Sequence, residues 1–251
     1  MYIDTEGVIL KQVKTVNGRK IVLLFSNKYG KISAGTSISE KGRSKAALAM
    51  HPFTHGRYEL YKNRDSFNIN GAEVIKSYYK IGEDVDKYMA CSYILEFTEK
   101  LAHENLRSPE LFQLLLDFLE IMEKRQKKYT TMVLAYQVKA LQIMGTMPEL
   151  NQCVECGSEE ILMSFSIKGG GVICEKCRNL MVLEDNEKLI YDLNFDIVNV
   201  LRYFSENPLK NLENLALDDV LMLTLQNVLK KYVSHHLDIK NLKSEGFLIE
   251  Y

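Results

Sequence analysis

Cys153-Val154-Glu155-Cys156 and Cys174-Glu175-Lys176-Cys177 are two C-x2-C pairs separated by 17 residues. A chain that brings two such knuckles together can set four sulfurs about 2.3 Å from one ion and complete a tetrahedron. Gly157, directly after the first pair, and Gly169-Gly170-Gly171, ahead of the second, supply the backbone freedom that tight metal turns need. The spacing predicts one structural zinc ion on Cys153, Cys156, Cys174 and Cys177, with iron or disulfides as the alternatives. A closed four-thiolate shell leaves no position for a catalytic water, so the ion is expected to brace a fold and do no chemistry. The fifth cysteine, Cys91, lies on a helical stretch and reads as a small core residue.

On both sides of this segment the apolar spacing is helical. Val85, Met89, Tyr93, Phe97 and Leu101 recur every four residues, the signature of one helix face. Ser108-Pro109 places a capping residue before a proline at the first helical position. The stretch it opens, Glu110 to Lys124, is apolar nearly all round, as suits the centre of a bundle. A third helix is expected from Thr131 to Met144, ending at Gly145. Beyond the cysteines, Ile197, Val200, Leu201 and Phe204 repeat the spacing, and so do Leu221, Leu225, Val228, Leu229 and Tyr232. Asp218-Asp219 suits the start of that last helix, where the helix dipole favours negative charge.

Towards the N-terminus the period shortens to that of strands. Gly7 to Lys14, Lys20 to Phe25, Lys31 to Ala34, Arg57 to Tyr61, Ser66 to Ile69 and Ala72 to Tyr78 are short β-rich runs. Turns are expected at Asn17-Gly18, Asn27 to Gly30, Asn63 to Asp65 and Asn70-Gly71, with a short Ala-rich segment after the third run. Five or so short strands with polar turns predict a small closed barrel of the OB type, which offers a groove for nucleic acid. The expected fold class is α+β multidomain: an N-terminal OB-fold β-barrel (1–80), an α-helical domain (81–150 and 182–251) and an inserted four-cysteine zinc finger (151–181).

The formal net charge of −1 conceals a strong asymmetry. Residues 1–80 hold 14 Lys and Arg against 6 Asp and Glu, whereas the remainder holds 18 against 27. An excess of positive charge on a small domain attracts polyanions and steers their approach. No run approaches the roughly 20 apolar residues needed to span a bilayer, and the opening residues lack a signal-peptide pattern, so a cytoplasmic protein is expected. Catalytic patterns are missing as well. Gly30 to Thr36 mimics part of a phosphate loop, but it lacks the lysine after the second glycine and lies between strands. His51, His55 and His103 have no triad partner in the sequence, and His235-His236 reads as a surface pair.

Several stretches, in order, resemble the RecO family of bacterial recombination mediators. Glu6 to Lys11, Ile21 to Phe25, Tyr29 to Ile32 and Ala46 to Phe53, ending in His51-Pro52-Phe53, are similar to its N-terminal domain. Met147 to Gly157 and Phe165 to Cys177 resemble the two halves of its zinc site, and Leu242-Lys243-Ser244 with Phe247-Leu248 resembles its C-terminus. The resemblance implies a protein without catalytic residues or nucleotide cofactor that binds single- and double-stranded DNA and anneals complementary strands. It also implies partnership with RecR and single-strand-binding protein, and indirectly with the RecA recombinase. One departure stands out: Glu40 replaces a commonly basic position and Gly42 replaces the usual proline in the loop Ser39 to Lys45.

Lys11, Lys14, Lys28, Lys31, Lys41, Arg43, Lys45 and Arg57 are the candidate phosphate contacts, each weighed against an ordinary solvated position. Tyr29, Phe53, Tyr58 and Tyr61 could stack on bases, although filling the barrel core is the better reading for each. Two other classes of function stay open: a zinc-ribbon adaptor binding RNA or protein in transcription or translation, and a hydrolase.

Overall fold

β-branched and aromatic residues alternate along the first part of the chain, and five strands follow from them. The computed structural model describes residues 1–14, 20–38, 44–64, 66–184, 190–192 and 195–244. Strands β1 (Tyr2–Lys14), β2 (Lys20–Ser26) and β3 (Gly30–Thr36) form an antiparallel meander. A short helix α1 (Lys45–Ala49) leads to β4 (Thr54–Lys62) and β5 (Phe67–Ser77). β4 pairs with both β1 and β5, and β3 meets β5 in parallel, so the strand order β1-β2-β3-β5-β4 closes into a barrel. The β3–β5 joint is short, with partners Ala34–Phe67, Gly35–Asn68 and Thr36–Ile69.

Ile9, Val22, Leu24, Ile32, Ala34, Leu60 and Ile69 point inward and form one core with Met50 and Tyr58. Ser44 caps α1 by accepting from the Ala47 amide at 3.1 Å. The buried Tyr58 hydroxyl donates to the Ala49 carbonyl at 2.7 Å, tying β4 to α1. Burial pushes the Tyr58 phenol well above its ordinary range. Asn70-Gly71 is not a turn: β5 runs straight through it. Glu59 pairs with Gly71 and Leu60 with Ile69, so Asn70 is the extra residue of a β-bulge. A Cβ on Gly71 would lie 2.6 Å from a Glu59 carboxylate oxygen, so this glycine permits a close cross-strand approach rather than a reversal. The expected turn at Asn17-Gly18 lies outside the described residues.

α2 (Val85–Leu101) begins at Asp84, whose carboxylate accepts from the Lys87 amide at 2.9 Å and is held below its usual pKa by that bond. α3 (Pro109–Lys124) has Pro109 in its first turn, as expected, but Ser108 makes no side-chain capping bond. The turn between these helices lies against the start of β3. Asn105 donates its amide to the Lys31 carbonyl at 3.0 Å. Gly30, at φ +67°, sits so close to Leu106 that a Cβ would fall 2.0 Å from its carbonyl oxygen.

The expected fold class needs correction. It had an OB-fold barrel as one domain, followed by a separate α-helical one. Instead the chain divides into one unit of Met1–Tyr129 joined by the segment that begins at Leu242, and another of Thr130–Asn241. The reason is apolar surface on the outside of the strands. Val8 and Phe25 are cross-strand partners that do not join the barrel core, yet both are fully buried. Phe112 of α3 meets the Phe25 ring edge-on at 5.7 Å and His55 at 5.9 Å. The strands, α2 and α3 therefore share one folded unit.

The second unit is not purely helical either. α4 (Tyr129–Ile143), buried continuously from Met132 to Val138, precedes a three-stranded antiparallel sheet in the order β7-β6-β8. Its strands are β6 (Leu162–Ser166), β7 (Gly171–Cys174) and β8 (Ile190–Asp192), with α5 (Glu175–Glu184) between the last two. Two further helices, α6 (Phe195–Glu206) and α7 (Asp219–His236), complete the unit. Asp218 caps α7 by accepting from the Leu221 amide at 3.0 Å. Among the described residues, no helix is long and apolar enough to cross a membrane.

Candidate metal centre and nucleic-acid interface

Residues 149–154 run beside β7 and deliver the first cysteine pair. The Glu149 amide donates to the Gly170 carbonyl, Val172 donates to Glu149, and Val154 donates to Val172, all at 2.9–3.0 Å. The glycines of the β6–β7 turn permit this approach. Gly170 has φ +79°, and a Cβ on Gly171 would sit 2.4 Å from the Glu149 carbonyl oxygen. The first knuckle closes when the Gly157 amide donates to the Cys153 carbonyl at 2.8 Å, with Gly157 itself at φ +73°. The second knuckle begins at the end of β7 and enters the first turn of α5, where helix polarity favours thiolates.

The sulfurs of Cys153, Cys156, Cys174 and Cys177 all lie within 4.8 Å of one another. Cys156 and Cys174 are 3.7 Å apart. A tetrahedron with metal–sulfur bonds of about 2.3 Å requires sulfur separations of about 3.8 Å. The four soft donors therefore fit a single metal ion. Cys153 and Cys174 are buried among Ile173, Val154 and Leu162, whereas Cys156 is exposed. Burial opposes ionisation of Cys153, but backbone amides of Cys174, Cys156 and Glu155 hold its thiol down to about 6. Burial and the neighbouring sulfurs push Cys177 up. Crowded thiols of this kind ionise together only when a cation collects them. Cys91 is separate: it is fully buried in α2, and burial raises its thiol far above the reactive range.

The basic residues of the first unit divide into paired and unpaired groups. Lys28 bonds the Asp4 carboxylate at 3.0 Å and holds it below its ordinary pKa. Lys11 approaches Glu99 at 3.5 Å, and Lys31 donates to the Glu99 carbonyl at 2.7 Å. Arg57 reaches Glu6 at 3.8 Å, and His55 bonds the same carboxylate at 3.1 Å. Burial lowers the His55 pKa despite that neighbour. Lys14 and Lys45 are exposed and have no ion-pair partner among the described residues. Lys41 and Arg43 lie outside the described residues.

Of the aromatic candidates, Tyr58 and Phe53 are buried, and Tyr29 packs half-buried on the barrel core. Tyr61 lies against Tyr2, ring centroids 5.1 Å apart. His235 and His236 are both exposed, as expected of a surface pair, but His236 also makes tertiary contacts. The His236 ring packs on Tyr232 at 4.4 Å and donates from Nε2 to the Ile167 carbonyl at 2.6 Å.

Sequence reasoning missed Lys20. With Thr36, Ser37, Asn68 and Asn70 it lines a groove of about 480 Å³ at one end of the barrel. The signal was available: Lys14 and Lys20 flank Asn17-Gly18 almost symmetrically, so a hairpin there brings them opposite each other.

Two family profiles match the chain, and they meet between the barrel strands and α2 rather than at the division between the two compact units. The profile described as Recombination protein O N terminal matches residues 1–78, and that described as Recombination protein O C terminal matches residues 82–246. A DNA repair protein RecO from Alkaliphilus metalliredigens is 29% identical over 245 residues, covering 97% of both chains. One from a Thermoanaerobacter species is 27% identical, covering 98% of this chain and 96% of its own. One from Halalkalibacterium halodurans is also 27% identical, covering 99% and 94%. With both halves matched in order along nearly its whole length, the chain belongs to the RecO family and is a non-catalytic, DNA-binding recombination mediator of DNA repair.

Proposed function

We propose that this protein binds single- and double-stranded DNA through its first unit, anneals complementary strands, and helps load a recombinase onto strands coated by single-strand-binding protein. The observation that carries this reading is the match to both RecO profiles across residues 1–78 and 82–246. The charge pattern supports it, since Lys14 and Lys45 on the first unit are exposed and have no ion-pair partner among the described residues, which suits them to neutralise phosphates. Lys11, Lys28, Lys31 and Arg57 contribute less, because each already bonds a carboxylate or carbonyl of the same unit. Screening of phosphates lets two strands approach and pair.

The ion on Cys153, Cys156, Cys174 and Cys177 is zinc, by this reading, because four thiolates in a closed shell select it in a cytoplasmic, nucleoid-associated protein. It supplies folding energy and no open coordination position. RecR, single-strand-binding protein and, indirectly, RecA are the protein partners that the family assignment supports.

The test is a salt-titrated binding and annealing assay with the purified full-length chain. Binding to single- and double-stranded oligonucleotides should weaken steeply with salt, and complementary strands should anneal faster with protein present. Tight RNA binding without affinity for DNA or annealing would overturn the proposal in favour of an RNA-directed adaptor.

A further inference from the structure

The groove beside Lys20 offers more than a single positive charge. Its volume, about 480 Å³, lies within the roughly 300–1,000 Å³ range of small-ligand sites. Its lining carries one cation, Lys20, and otherwise the amides of Asn68 and Asn70 and the hydroxyls of Thr36 and Ser37, with Gly35 and Ile69 between them. No carboxylate lines it among the described residues. Amides both donate and accept, so beyond bonding a phosphate oxygen they can match the mixed donors and acceptors on the edge of an unpaired base.

Three features of the backbone converge on this place. Cross-strand pairing sets Lys14 opposite Lys20 and Lys20 opposite Thr36, and Thr36 in turn faces Ile69 across the parallel joint. Two ammonium groups directly opposite each other on neighbouring strands oppose folding unless an anion lies near them. Asn70 is the extra residue of the β5 bulge, and bulges re-aim a side chain away from the regular pleat. Gly35 faces Asn68, and a Cβ there would lie 2.8 Å from the Asn68 side-chain oxygen, so the missing side chain keeps that amide uncovered.

We propose that this end of the barrel holds one unpaired nucleotide of a DNA single strand, its base edge on Thr36, Ser37, Asn68 and Asn70 and its phosphate at Lys14 and Lys20. The proposal rests on the DNA-binding reading above and adds a site that selects unpaired bases. A paired base has its edge occupied and cannot enter, so the groove distinguishes single strands from duplex, which surface lysines do not.

The experiment compares full-length protein on a labelled oligothymidylate, an abasic strand of the same length and a duplex, with melting curves confirming that each variant folds. The Asn68→Ala/Asn70→Ala double variant should bind oligothymidylate about tenfold more weakly, with its affinity for the abasic strand and the duplex unchanged. Gly35→Val, which fills the groove and removes no polar group, should show the same selectivity loss. Lys14→Ala/Lys20→Ala should weaken binding to all three and reduce the salt slope by about two. Wild-type ratios between thymidylate and abasic strands in both groove variants would overturn the base-edge assignment. An unchanged salt slope in the lysine variant would overturn the phosphate assignment. Failure of the wild-type protein to bind any of the three strands would instead overturn the DNA-binding reading itself.

Discussion

Glu96, on α2, grips Ser244 near the far end of the chain: its carboxylate accepts from the Ser244 hydroxyl at 2.6 Å and from the Ser244 amide at 2.9 Å. The Lys243 amide adds a third bond at 3.0 Å. Residues 147 and 148 positions apart are thus joined within the first unit by one side chain.

Removing that carboxylate leaves two amides and a hydroxyl without their acceptor. Glu96→Ala should destabilise the first unit by about 1–3 kcal/mol, read as a lower urea midpoint. The clasp should also be acid-sensitive. Burial raises the Glu96 pKa, but the Ser244 hydroxyl and the two amides outweigh it and hold the group below its ordinary value of 4.5. A carboxylate depressed in the folded state contributes stability above its unfolded pKa and loses it as pH falls through the folded one. Wild type should therefore lose stability below pH 4.5, and Glu96→Ala should lose less over that window.

Removal of the metal should unfold the cysteine segment. Purified protein should carry one equivalent of zinc, and a strong chelator should release it while making four thiols, not five, newly reactive, because Cys91 stays buried in α2. Cys174→Ser should abolish zinc retention. Retention of one equivalent by that variant would count against the four-sulfur shell.

Steric closeness makes a separate prediction for the β6–β7 turn. Gly171→Ala adds a Cβ 2.4 Å from the Glu149 carbonyl, so residues 149–154 must shift away from β7. Zinc should then leave faster under chelation than from wild type, although no ligand has been altered. Equal release rates would show that the strand path does not position Cys153.

Charge pairing ranks the basic residues. Lys45→Ala should lower the slope of log affinity against log salt by about one for single-stranded DNA. Lys28→Ala should change it less, because Lys28 is already bound to Asp4 at 3.0 Å. The reverse order would mean that the Asp4 pair opens on binding.

Much of this molecule is legible in its sequence because the deciding signals are local. The cysteine spacing picks out the four sulfurs that cluster, and the helical period locates α2, α3, α6 and α7 within a few residues. What escaped depends on partners distant in sequence. Asn70-Gly71 has the composition of a turn, but the Glu59 strand opposite holds it extended. Phe25 reads as one more strand residue, and its burial outside the barrel core involves Phe112, 87 positions further along the chain. Likewise, Lys11 and Lys31 look free until Glu99 is brought beside them.

The three-residue joint between β3 and β5 makes the cylinder mechanically uneven. Every other contact around the circumference is longer, so thermal opening should begin at Ala34 to Thr36, and deuterium should enter there first. A strand lodged across Thr36 and Asn68 would act as a rivet on that weak side, and its arrival should be visible as slower exchange at Ala34 to Thr36.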